Sequence, residues 1–168
     1  MKKPPQSVID LARKNLVVDG EGRLFWNCSG HGKRVGMPAG SDHRSGYLWL
    51  KVGGKHVMAH HVVWLLIHGE WPDQNIDHID LDKKNNKPSN LRLCTHQQNM
   101  CNKKIRSDSS SGLKGVSFDS KSGKWRPLIT AKGKRFSLGR HEDKELAHLI
   151  YSEACRKYHG DFANNGGA

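Results

Sequence analysis

No packed helix or strand can be drawn through NKKIRSDSSSG, residues 102–112, which is polar, serine-rich and carries a single apolar side chain, Ile105. Such a stretch reads as a linker. A chain of 168 residues can form one domain or two small ones, and this seam points to two. The expected boundaries are residues 1–104 for the first domain, 105–112 for the linker and 113–168 for the second.

The first domain holds most of the histidines. YLWLKVGG, residues 47–54, alternates and ends in a Gly-Gly turn, and KHVMAH, 55–60, follows it, which predicts a hairpin running into a helix. AHHVVWLLIHG, 59–69, is apolar almost throughout and closes on Gly69 with Pro72 just beyond, the pattern of a buried helix with a glycine stop. The pair Asp77-His78 stands between Ile76 and Ile79, followed by the polar turn 80–90 and the strand-like LRLC, 91–94. THQQNMCNKK, 95–104, places Thr95 three residues before Gln98, a capping box, and ends in lysines that suit a helix C-terminus. The first 46 residues are glycine-rich and predict only a few short strands.

A hairpin followed by a helix can close a small compartment. Asp77 offers a hard oxygen ligand, His78 a base that titrates near neutrality, and Asn99, one turn inside the Thr95 cap, a second oxygen ligand. Oxygen donors with waters suit Mg²⁺ or Mn²⁺ and not zinc. A divalent ion beside a neutral imidazole meets the needs of phosphodiester hydrolysis, the imidazole taking a proton from water and the ion stabilising the charge on phosphate. Taken alone, Asp-His followed by DLDKKNNKPSN also fits a solvated turn in which Asp80 and Asn85 satisfy backbone groups. An EF-hand is excluded, because the sixth-position glycine and the closing glutamate are both missing.

AHHVVWLLIHGEWP…IDHIDLDKKNNKPSNLRLCTHQQNMCNKK resembles the HNH endonuclease family, in the branch common among phage and intron-encoded homing endonucleases, over about residues 45–104. The resemblance implies a ββα-metal unit with His78 as general base, Asp77 and Asn99 holding one metal, Asn90 bracing the loop that orients His78, and His60 opening the helix. The chain departs from that pattern at His61, where arginine is the usual phosphate contact. Asn99 takes the place of the last histidine, and His96 or Asn102 stay open as ligands in its stead. His61 and His68 are assigned to structure or surface.

Charge fits a polyanionic partner or solubility by self-repulsion: 28 Lys and Arg oppose 16 Asp and Glu, for a formal net charge of +12. The excess is concentrated between residues 103 and 140, where eleven Lys and Arg face two Asp. GLKGVSFDS, KWRPLITA and KRFSLGR read as three strands with turns at 121–123 and 132–133. Alternation puts Trp125, Ile129, Phe136 and Leu138 on one side and Lys124, Arg126, Thr130, Arg135 and Ser137 on the other. A helix capped by Asp143 and running to about Tyr158, with Leu146, Ala147, Ile150 and Ala154 as its apolar stripe, can cover the first side. Residues 111–165 resemble the plant ethylene-response-factor (Apetala-type) DNA-binding domain at Gly115-Val116, Lys124-Trp125, Leu138-Gly139, Ala147, Tyr151 and GDFANN. That resemblance implies that Lys114, Ser117, Lys124, Arg126, Thr130, Arg135 and Ser137 face DNA, although Pro127 and Leu128 are unusual in the second strand.

The expected fold is therefore α+β, a nuclease domain followed by a three-stranded antiparallel sheet packed on one helix. The expected function is Mg²⁺- or Mn²⁺-dependent cleavage of double-stranded DNA by a monomer or weak dimer, the alternative being a non-catalytic DNA-binding regulator with a degenerate nuclease domain. No apolar run approaches the roughly 18 residues of a membrane span, and MKKPPQSVIDLARKN lacks the build of a signal peptide. Cys28, Cys94, Cys101 and Cys155 show no metal or disulfide spacing. Both observations point to a cytoplasmic protein with free thiols.

Overall fold

The computed structural model describes residues 3–30, 32–105, 109 and 111–164. Residues 106–108 and 110 of the expected linker lie outside them. Two compact units are present, Met1–Thr95 and His96–Ala168. The division precedes the expected 104 boundary because the helix after Thr95 bonds within the second unit.

In the first unit, α1 (Gln6–Asn15) follows Pro5 and buries Val8, Ile9 and Ala12 on one stripe. This helix is an addition to the few strands expected of the first 46 residues. The hairpin of β1 (Leu16–Val18) and β2 (Leu24–Trp26) comes next, its turn fastened by Asp19, whose carboxylate accepts from the Glu21 and Arg23 amides. A three-stranded sheet combines β3 (Ser41–Asp42), β4 (Leu48–Val52) and β5 (Lys55–Met58). The β4–β5 turn uses Gly53 and Gly54, both at positive φ, as a two-residue hairpin requires.

The chain then enters α2 (Ala59–His68), closed by Gly69 in the left-handed region as the sequence predicts. Its buried residues include Val62, Val63 and Leu65 together with His60 and His61. β6 (Asn75–His78) and β7 (Leu91–Cys94) form an antiparallel ribbon. Ile9, Leu16, Leu50, Val52, Val63 and Leu65 are central to one core shared with Ile76 and Leu91 of the ribbon.

The second unit begins with α3 (His96–Cys101), shorter than the 95–104 expected. Beyond Cys101 the backbone is drawn into other bonds: Lys114 Nζ donates to the carbonyls of Cys101 at 2.8 Å and Lys103 at 2.6 Å. Asn164 Nδ2 donates to the Asn102 carbonyl at 3.2 Å. The expected meander follows as β8 (Val116–Asp119), β9 (Lys124–Ala131) and β10 (Lys134–Ser137), with β9 in the middle. Pro127 stands where β10 pairing ends after Ser137–Leu128: its carbonyl accepts from the Leu138 amide, the reciprocal bond that proline cannot donate is missing, and the Leu138 carbonyl lies 3.2 Å from His141 Nε2 instead.

Helix α4 (Lys144–His159) is capped by Asp143, whose side chain accepts from the Leu146 amide at 2.8 Å. Its buried face is Ala147, Tyr151, Ser152 and Cys155. Leu146, expected in that stripe, is 47% exposed, because the face follows a four-residue step from Ala147. Phe136, expected inward, lies at the sheet edge, 40% exposed and stacked on Tyr158 of α4. Asn165, the last residue of GDFANN, lies outside the described residues.

Candidate active site and candidate nucleic-acid face

The end of β6 carries two buried polar side chains in succession, Asp77 and His78. In the ribbon register Asp77 faces Arg92 and His78 faces Leu91. Arg92 donates from Nε (2.9 Å) and Nη2 (2.8 Å) to Asp77 Oδ2, a charge-assisted cross-strand pair with little access to water. His78 Nε2 stands 3.0 Å from Asn86 Oδ1, and both side chains are buried. With Nε2–H donating to that oxygen, the basic lone pair of the imidazole resides on Nδ1.

The turn between the strands is held by its own side chains. Asn90 Nδ2 donates to Asp80 Oδ1 at 2.9 Å and to the Asn85 carbonyl at 2.7 Å, while its Oδ1 accepts from the Asp80 amide at 3.0 Å. Asp80 also accepts from the Asp82 amide and from Asn85 Nδ2. Burial alone would raise the Asp80 carboxyl, but the Asn85 and Asn90 hydrogen bonds outweigh it and hold the group below the usual carboxylate range. Solvated turn and site are thus one object: Asp80 and Asn85 satisfy the loop, and the loop delivers Asn86 to His78.

The glycine-rich N-terminal region supports this loop from below. Gly22, at φ +74°, lies so close to Asn86 that a Cβ there would stand 2.0 Å from the Asn86 carbonyl oxygen. Lys87 pairs with Glu21 at 2.7 Å, Lys84 pairs with Asp42 at 2.6 Å, and Lys83 donates to the Ser45 carbonyl at 2.9 Å.

Behind His78 lies an aromatic cluster. His60 meets it edge-on with ring centroids 5.1 Å apart and touches His61 at 4.3 Å and Tyr47 at 5.2 Å. Burial, then the neighbouring imidazoles, pushes the His60 pKa down to about 2, and burial pushes His61 down to about 4. Both rings are neutral at pH 7. His61 packs on Trp71, and His68 stacks on Trp64 at 3.9 Å, as befits structural residues. Tyr47 lies near both members of the central pair: its ring is 5.9 Å from that of His78, and its hydroxyl pKa is raised by burial first and by the Asp77 charge next.

Among the described residues no three His, Cys, Asp or Glu side chains group into a metal cage. The donor chemistry around Asp77 is nonetheless that of a hard ion. The adjacent thiol of Cys94 is pushed up to about 11, by burial first and then by Asp77, so it is protonated at neutral pH. A hard ion bound through one or two oxygen groups, retaining waters and completed by substrate phosphate, fits such a donor set. Asn99 and His96 lie on α3, in the second unit, as does Asn102 just beyond it.

In the second unit the register brings the expected cationic side together. Ser117 pairs with Arg126, Thr130 with Arg135 and Leu128 with Ser137, and Lys124 lies on the same side opposite Asp119. Lys124 pairs with Glu142 at 3.3 Å, and Arg140 holds Asp119 at 2.9 Å, which lowers that carboxyl. Arg126 Nε is buried without a hydrogen-bond partner among the described residues. Lys114 differs from expectation: it is half-buried, its ammonium is spent on the carbonyls of Cys101 and Lys103, and burial lowers its pKa.

Asn86, Arg92 and Tyr47 are site residues that sequence reasoning missed. Asn86 hides in a run of turn-formers, Arg92 meets Asp77 only once the ribbon register is fixed, and Tyr47 lies far away along the chain.

A family model for HNH endonuclease matches residues 57–101, from β5 to the end of α3, so the chain carries an HNH endonuclease domain there. Among its relatives, Protein 3.8 of Escherichia phage T7 is 36% identical over 105 residues, covering 62% of this chain and 86% of that protein. The uncharacterized HNH endonuclease L560 of Acanthamoeba polyphaga mimivirus is 35% identical over 121 residues, 71% of this chain and 62% of its own length. A solved structure described as DNA binding and cleavage by the HNH homing endonuclease I-HmuI is similar at 25% identity with a TM-score of 0.41, over 51% of this chain and 49% of that one.

Proposed function

We propose that the protein is a DNA endonuclease of the homing type that requires Mg²⁺ or Mn²⁺ and grips double-stranded DNA with its second unit. The observation that carries the reading is the buried His78 imidazole, fixed through Nε2 by Asn86 and adjacent in sequence to the Asp77 carboxylate. The HNH endonuclease model match over residues 57–101 supports the nuclease assignment, and the net charge of +12 supports the polyanionic substrate.

In this mechanism His78 accepts the proton of the water that attacks phosphorus, and the bond from phosphorus to the 3′ oxygen breaks. Asn86 keeps the imidazole in the tautomer that presents Nδ1 as base. Asn90 acts through the loop, and neutral His60 backs the His78 ring. Asp77, with Asn99 on the family resemblance, would hold the ion, which supplies charge stabilisation to the phosphate and the leaving oxygen. Lys124, Arg126 and Arg135, with Ser117, Thr130 and Ser137, would contact DNA from the sheet.

The non-catalytic regulator draws on one observation, the Arg92 clamp on Asp77. One assay separates the two: supercoiled plasmid incubated with the protein and Mg²⁺ or Mn²⁺, beside His78→Ala. Relaxation by the wild type and none by His78→Ala, with DNA binding retained by both, is the expected result. Binding without relaxation under either ion would leave the regulator.

A further inference from the structure

The second unit contains a cavity of about 490 Å³ where the residues after α3 meet the outer side of the sheet. Its lining includes Lys103, Lys104, Lys114 and Arg135 around Ser117 and Leu128, and no carboxylate among the described residues. Lys103, Lys104 and Arg135 are exposed, and no ion pair among the described residues engages them. The other cations of this side are less available: Lys124 is paired with Glu142, and Lys114 is bound to backbone carbonyls.

We propose that this cavity seats the phosphate-sugar backbone of one DNA strand, with Lys103 and Lys104 as its phosphate contacts beside Arg135, and with Lys114 as a positioning residue. The proposal rests on the DNA-binding reading above and adds two residues to it. Charge decides the occupant: four cations and, among the described residues, no acid favour a polyanion. The volume, within the roughly 300–1,000 Å³ of a small-ligand pocket, admits a length of one strand and excludes a whole duplex. Leu128 and the neighbouring apolar lining offer a surface to the sugar. Lys114, by donating to the carbonyls of Cys101 and Lys103, fixes the backbone that carries Lys103 and Lys104.

The test is the salt dependence of binding of labelled duplex to the full chain, wild type against Lys103→Gln/Lys104→Gln. Neutralised phosphates release counterions, so each lost phosphate contact should reduce the slope of log K against log salt by about 1, alike on every duplex sequence. A slope unchanged in the double variant, with wild-type binding intact, overturns the cavity proposal and leaves the nuclease reading standing. A wild type that binds no duplex at all overturns both. Amine modification read by mass spectrometry gives an answer that needs no variant. Bound duplex should protect Lys103 and Lys104, and equal modification with and without DNA would overturn the proposal.

Discussion

Two polar side chains at the end of β6 are buried, and each is tied to a partner the primary sequence does not advertise. Asp77 has Arg92 and His78 has Asn86. Removing one member of a buried ion pair leaves the other charge uncompensated, at a cost of roughly 3–5 kcal/mol. Arg92→Met should therefore lower stability by about that amount in urea unfolding, and Arg92→Lys by less. His60 and His61 predict an acid response as well. Their folded pKa values, about 2 and about 4, lie below the ordinary 6.5, so the unfolded chain binds more protons than the folded one as pH falls below 6.5. The stability they contribute is complete above 6.5 and declines on acidification, by up to about two protons' worth of slope. Urea midpoints at pH 7.5 and pH 5 check this, and His60→Gln/His61→Gln should flatten the difference.

Elements explain why some of this was legible and some was not. The hairpin into α2, its Gly69 stop, the LRLC strand and the Asp143-capped helix follow from local patterning, which acts over a few residues and can be read directly. So do Asp77, His78 and Asn90, which stand close together in the chain. Arg92 and Asn86 depend on strand register and on the path of a loop, and Lys114 on which carbonyls α3 leaves open; these are tertiary facts. α1 escaped because its stripe of Val8, Ile9 and Ala12 is short and follows two prolines. Glycines offer the sharpest test at this scale. In Gly22→Ala the new Cβ meets backbone atoms of Asn86 and Lys87, which cannot swing aside. It should cost at least roughly 1–3 kcal/mol and abolish nicking by displacing Asn86, as thermal melts and the plasmid assay would show. In Gly115→Ala the Cβ falls 2.1 Å from the Tyr151 ring, so α4 must lift from the sheet and duplex affinity should fall with it.

At the level of the whole molecule, a +12 charge and one His78 per chain set the expected products. One imidazole base serves one phosphodiester at a time, so nicked circles should accumulate before linear plasmid, and linear product should rise with protein concentration. A gel time course at two concentrations decides it. No helix among the described residues is long and apolar enough to cross a membrane. The family match begins at Val57, yet the loop that presents Asn86 stands on Glu21, Gly22, Asp42 and Ser45. A fragment cut at residue 57 would keep the acid, the base and every bracing asparagine while losing the floor beneath them. Grafting the matched stretch into another scaffold should therefore yield an inert segment, unless a substitute foundation is built for its turn.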